Sequence, residues 1–194
     1  MWTIPNQITL FRIILIPVFI AVFYLPVSWH HFGAFCVFWL ASVSDALDGY
    51  LARKLNMSSA FGAFIDPVAD KLMVVSALIL IIEDYNQWWI SIPALLMIAR
   101  EVFISALREF MSSRGKRDVV AVSKMGKYKT ASQMLALMGL IWRPDYDIPL
   151  ILFDFPQELF VFLTYGFYSI ATVLTVWSMV TYFRSAWPEL TVKS

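Results

Sequence analysis

Ser44–Lys71 reads SDALDGYLARKLNMSSAFGAFIDPVADK and sets Asp45, Asp48, Asp66 and Asp70 inside a chain that is 60% apolar and holds only 14 acidic residues. Asp45 and Asp48 are three residues apart and Asp66 and Asp70 four apart. On helices each pair therefore shares a face. Gly49 and Ala52 continue the first face, and Gly62 precedes Asp66 by about one turn on the second. The glycines remove bulk where a backbone or ligand comes close. Pro67, directly after Asp66, frees one carbonyl and invites a kink. Two helices packed together would bring four carboxylates into one small volume.

Away from this stretch the chain turns apolar in both directions. The 194 residues have a mean hydropathy of +0.69, with 16% aromatic and 15% charged residues. Soluble domains average about 25% charged residues, so the composition is that of an integral membrane protein. A bilayer span needs about 20 apolar residues. Six windows qualify, at about 7–25, 33–54, 61–83, 88–110, 128–142 and 158–183, the fifth of them short. Period-2 patterning with regular turns is missing, which disfavours a β-barrel. No repeat or flexible linker interrupts the chain, so residues 1–194 are read as one all-α bundle of six transmembrane helices. The first segment, with Trp2, Pro5 and Asn6 ahead of it and Arg12 inside it, lacks the pattern of a cleaved signal and is read as a retained helix. Asn6 suits its N-cap, and Pro17 is a point for a kink.

Loop charges set the orientation. Arg53 and Lys54 lie between the second and third spans; Arg114, Lys116, Arg117, Lys124, Lys127 and Lys129, against Asp118, lie between the fourth and fifth. The opposite loops carry Glu83, Asp84, Asp145, Asp147, Asp154 and Glu158, with Arg143 as their base. The positive-inside rule places both basic junctions and both termini in the cytoplasm. The aspartates then sit at the cytoplasmic membrane face. Cys36 stands alone and His30 and His31 are sequence neighbours that do not share a helix face, so neither a disulfide nor a soft-metal site is expected. No nucleic-acid partner is expected either.

Insertion scales put one aspartate at a helix centre at about +2.5–3.5 kcal/mol, so four cost on the order of 10–14 kcal/mol, less near the interface. Their mutual repulsion adds to this. Arg53 and Lys71 are near but do not satisfy a shared acidic pocket, and hard carboxylate oxygens without Cys or His suit Mg²⁺, Mn²⁺ or Ca²⁺. Two divalent ions there would clamp a phosphoryl group. The plainer alternative is a set of interfacial aspartates that cap helices or pair with Arg53, Lys54 and Lys71.

The pattern D45-x2-D48-G49-x2-A52-R53-x8-G62-x3-D66-x3-D70 resembles the full signature of the CDP-alcohol phosphotransferases, with all eight positions and every interval intact. The resemblance implies a six-helix membrane enzyme, usually a homodimer, that uses a CDP-linked donor and releases CMP. It implies Asp45, Asp48, Asp66 and Asp70 as ligands of two divalent ions, Mg²⁺ or Mn²⁺, and Asp70 as general base. Gly49, Ala52, Arg53 and Gly62 would line the donor's cytidine-diphosphate site. The expected location is a bacterial-type inner membrane, amid its lipids, with the active site facing the cytoplasm.

The acceptor is read from other residues. IAREVFISALREF puts Arg100, Glu101, Arg108 and Glu109 in an apolar helix, where charges must point into the bundle or a wet cavity. Internal Glu–Arg pairing that fixes helix packing is the alternative. SKMGKYKTASQ follows with Gly126, Lys127, Lys129 and Thr130 where the basic loop enters the fifth span, a natural phosphate site at a helix N-terminus; the alternative there is an anchor to anionic headgroups. Together Arg100, Arg108, Lys127, Lys129 and Thr130 suggest an acceptor that carries a phosphate. These stretches, with IPNQITLFRIILIP at the N-terminus, are similar to family members that use CDP-diacylglycerol as donor and sn-glycerol 3-phosphate as acceptor. That likeness implies Asn6, Thr9 and Arg12 near the donor's phosphates or the entrance. Two rivals remain: the same chemistry on another phosphorylated alcohol such as inositol phosphate, and a divalent-cation transporter. The transporter predicts acids spread along a path rather than gathered at one face.

Overall fold

A computed structural model describes the backbone of residues 4–55, 60–116, 124–149 and 154–191, and the side chains of residues 7–47, 62, 65–116, 126, 128–149 and 154–188. The order of elements is α1 (Ile4–Phe23), α2 (His30–Leu55), α3 (Ala60–Tyr85), α4 (Trp88–Ser113), α5 (Lys124–Trp142), β1 (Ile148–Pro149), β2 (Asp154–Phe155) and α6 (Gln157–Thr191). Each of the six apolar windows falls on one helix, and the helices overrun the windows at most ends. α1 runs through Pro17 and α3 through Pro67 without a break. The short ladder of β1 and β2, with Ile148 opposite Phe155 and Pro149 opposite Asp154, is not anticipated by the all-α reading.

Among the described residues, α4 and the Gln157–Pro188 stretch of α6 are each long and apolar enough to cross a membrane, with a hydropathy of 1.8, and Gln7–Phe23 is a shorter apolar helix.

The chain forms two compact units. The first comprises Met1–Asp84 and Met138–Gln157. Here α1 packs along α2, and Phe19, fully buried, meets Phe23 and Phe38 with ring centroids 6.2 and 5.9 Å away. At one end of this unit Arg143 Nη1 lies 2.8 Å from Asp84 Oδ2, and the Tyr24 hydroxyl donates to Glu83. The ends of α1, α3 and α5 therefore meet there, as alternating helix directions require. His30 accepts or donates at 2.8 Å to the Phe23 carbonyl, depending on its tautomer, and its ring comes within 4.0 Å of the His31 ring. The two residues do not share a helix face, but His30, the first helical residue and tied back to α1, keeps its ring beside that of its neighbour.

The second unit comprises Tyr85–Leu137 and Glu158–Ser194. Its buried stripe on α4 is Ile90, Ala94, Met97, Arg100, Ile104, Leu107 and Met111, spaced by three and four residues as one helix face requires. Ile104, Leu107 and Met111 pack with Tyr182 and Ala186 of α6. An arginine in the middle of an apolar stripe needs polar partners, and it has them. α4 ends in a Schellman turn: Gly115, at φ +71°, donates to Ser112 O at 3.0 Å, and Lys116 donates to Met111 O at 2.9 Å.

Candidate active site

In the first unit three helices converge on the aspartates. α2 presents Asp45, and α3 presents Asp66 and Asp70 one turn apart. α1 brings two residues against them from 57 and 58 positions away. The Thr9 hydroxyl donates to Asp66 Oδ1, and Arg12 Nη1 donates to Asp70 Oδ1 while lying 2.9 Å from Asp45 Oδ1. Thr9 and Arg12 are three apart, so both point from one face of α1. Arg12 is only 2% exposed, whereas the side chains of Asp45 and Asp70 are about half exposed. A guanidinium between two carboxylates draws together groups that would otherwise repel.

Asp45, Asp66 and Asp70 thus lie against two residues of one helix, Thr9 and Arg12 of α1. Of Asn6, Asp48, Gly49, Ala52, Arg53 and Lys127 the structure describes the place in the helix; their side chains lie outside the described residues. Gly62 is buried in the first turn of α3. Among the described residues no three of these carboxylates close into a metal-ligand set, Asp48 being outside that description. The donor chemistry nevertheless fits a hard divalent ion: the site offers carboxylate oxygens and a hydroxyl, and no thiolate or imidazole.

In the second unit two of the residues expected at the acceptor, Arg100 and Lys129, meet one carboxylate. Glu101 Oε1 takes the Lys129 ammonium and lies 3.3 Å from Arg100 Nη1. Arg100 Nε donates to the Ser178 hydroxyl at 3.2 Å, and that hydroxyl donates to Thr175 O at 3.0 Å. Arg108 Nη2 donates to the Tyr182 hydroxyl at 3.2 Å, and the Tyr182 ring lies 5.4 Å from Arg108 and 5.9 Å from Arg100. Lys129 is 1% and Arg100 7% exposed. Arg108 has no carboxylate partner among the described residues, and its Nε is buried without a hydrogen-bond partner. Internal pairing, the alternative reading of this helix, accounts for Arg100 and Lys129 but leaves Arg108 over. Thr130 is exposed, and its hydroxyl donates back to Gly126 O at 3.0 Å, as helical threonines do.

Ser178 and Tyr182 carry no sequence signal. They lie 78 and 74 residues beyond their partners on an apolar helix, four apart, among other hydroxyl residues such as Thr175 and Thr181.

The chain matches the CDP-alcohol phosphatidyltransferase family over residues 2–183. It is 48% identical over 189 residues, 97% of either chain, to the CDP-diacylglycerol–glycerol-3-phosphate 3-phosphatidyltransferase of Shigella flexneri serotype 5b (strain 8401). The proteins of the same description from Shigella boydii serotype 4 (strain Sb227) and Escherichia coli (strain K12) match with the same identity and coverage. A family match over residues 2–183, which contain the aspartate signature, and 48% identity over nearly the full length leave one conclusion: this chain belongs to the CDP-alcohol phosphatidyltransferase family.

Proposed function

We propose that the protein transfers the phosphatidyl group of CDP-diacylglycerol to sn-glycerol 3-phosphate, giving phosphatidylglycerophosphate and CMP. The relatives that are 48% identical carry this activity in their names. The observation that carries the acceptor is the cation excess of the second unit: Arg100 and Lys129 share Glu101, and Arg108 lies against Tyr182 with its Nε buried and without a hydrogen-bond partner. Burying such a donor costs about 1–3 kcal/mol unless an acceptor arrives. A phosphate dianion supplies that acceptor. Lys127 and Thr130 would stand at its edge.

The acceptor's primary hydroxyl attacks the β-phosphorus of the donor. The new P–O bond replaces the bond to CMP, which leaves, and Asp70 receives the hydroxyl proton. Asp45, Asp48, Asp66 and Asp70 would hold two ions, Mg²⁺ or Mn²⁺, which when bound polarise the pyrophosphate and offset the charge on departing CMP. Gly49, Ala52, Arg53 and Gly62, with Asn6 and Thr9, would receive the cytidine diphosphate. Fixing the acceptor's phosphate aims its hydroxyl, the positioning contribution to catalysis.

The whole of 1–194 is read as one membrane domain of six spans with cytoplasmic termini, acting as a homodimer in a bacterial-type inner membrane. Two apolar helices of spanning length and outward-facing Ile14, Trp39, Ile79, Val102, Phe162 and Val173 support a lipid setting.

The test is CMP release by purified protein in detergent with CDP-diacylglycerol and Mg²⁺, offering glycerol 3-phosphate, inositol phosphate, serine or no acceptor. Release that requires glycerol 3-phosphate is expected. Release with another alcohol would overturn the acceptor assignment. No release from folded protein, with metal uptake into vesicles carrying it, would return the transporter.

A further inference from the structure

Arg12 is the one arginine on α1, and it sits inside the first unit rather than at its surface. Donor phosphates are the partners its sequence context suggests. The structure gives it others: one nitrogen, Nη1, meets Oδ1 of Asp45 on α2 and Oδ1 of Asp70 on α3. Its long side chain is buried, and that burial holds the guanidinium at that point. Thr9, one turn earlier, does for Asp66 with a hydroxyl what Arg12 does for the other two with a charge.

We propose that Arg12 is a resident cation of the carboxylate cluster, tying Asp45 to Asp70 from a third helix and limiting how tightly a divalent ion is held there. This rests on the reading of the aspartates as metal ligands. An ion drawing on Asp45 and Asp70 must share oxygens already bound to a fixed positive charge. Two effects of Arg12 oppose each other. Tethering saves side-chain entropy when the ion binds, which favours binding. The charge repels a doubly charged ion at contact range in a partly desolvated site, which disfavours it, and this second effect is the larger. The consequence is a site that stays assembled between turnovers yet exchanges its ions readily. Arg12 is thus a positioning residue that works through the aspartates.

The experiment is a Mn²⁺ titration of the full-length protein in detergent at pH 7.5 without donor, reading free Mn²⁺ by electron paramagnetic resonance alongside thermal unfolding. Arg12→Gln is expected to bind Mn²⁺ about tenfold more tightly than the unchanged protein. It should also unfold at a lower temperature without Mn²⁺ and recover more of that loss when Mn²⁺ is added. Equal or weaker binding by Arg12→Gln would overturn the proposal, because tethering would then outweigh charge. If Arg12→Gln does not fold, Arg12→Lys keeps the charge but lacks the planar fork. Because the charge remains, its binding should stay within about twofold of the unchanged protein, and a tenfold tightening would overturn the proposal, since something other than charge would then limit binding. Failure of the unchanged protein to bind Mn²⁺ at all would instead take down the metal reading, and this inference with it.

Discussion

At the scale of single residues the two sites make opposite demands on mutation. Asp70→Asn keeps the side chain's size and removes its charge; turnover should fall to background while glycerol 3-phosphate still binds. Near-normal turnover would show that another group takes the proton. Arg108→Gln removes the cation that has no carboxylate partner among the described residues. We expect KM for glycerol 3-phosphate to rise about ten- to a hundredfold with a smaller change in kcat, since a charge-assisted bond is worth about 1.5–3 kcal/mol. Tyr182→Phe loses only the hydroxyl that receives Arg108 and should raise the same KM by about threefold to tenfold. An unchanged KM in both would remove Arg108 and Tyr182 from the acceptor site. The aspartates were legible because their spacing is local: three and four residues apart, they declare a helix face before any fold is known. The pairing of Arg12 with Asp70 and the place of Tyr182 were not, because a contact across 58 or 74 residues leaves no trace in periodicity. Arg100 was legible as a charge in an apolar helix with Glu101 beside it, and Lys129 as a base where the loop enters the fifth span, but that both share Glu101 was not.

At the scale of elements, the hydrophobic runs gave six helices because each run is longer than any buried strand and lacks alternation. What they could not give was the fine structure at helix ends. The Schellman turn after α4 depends on Gly115 at φ +71°, with nothing within 4 Å of a Cβ built there. Gly115→Ala should therefore cost about 1–2 kcal/mol from backbone strain alone, read as a lower melting temperature with KM unchanged. Gly33, by contrast, faces Trp29 and Val22, each 3.0 Å from such a Cβ. Gly33→Leu should destabilise by about 1–3 kcal/mol through overpacking of α1 and α2. Recovery of Gly33→Leu by Val22→Ala would identify the clash. His31, at the start of α2 ahead of the predicted span, has its pKa lowered, first by burial and then by His30 and Arg143, with Asp84 acting the other way. The unfolded chain then takes up a proton near its ordinary pKa of about 6.5 that the folded chain resists, so stability is full above that pH and declines as pH falls below it. His31→Gln should flatten this decline in detergent unfolding curves between pH 7 and 5; an unchanged slope would exonerate His31.

For the whole molecule, the composition alone announced a membrane protein, and loop charge predicted its orientation. The contacts of Arg143 with Asp84 and of Tyr24 with Glu83 bring three of the loops that were read as non-cytoplasmic to a common end of the first unit. Single cysteines placed at Lys116 and at Asp145, with Cys36 replaced by serine, test the proposed orientation in intact cells. An impermeant thiol reagent should label position 145 and spare position 116. The reverse pattern would invert the topology.

The distribution of partners along the chain also has a consequence for how the protein is made. Thr9, Arg12, Asp45, Asp66 and Asp70 all lie on α1 to α3, so their contacts become possible once the third helix has left the ribosome. The network of Arg100, Glu101, Arg108 and Lys129 is different, because Ser178 and Tyr182 are supplied by α6, the last helix to be synthesised. Until that helix arrives, α4 must wait in the translocon or the lipid with a buried-stripe arginine whose hydroxyl partner does not yet exist. α6 is therefore the helix that completes the network.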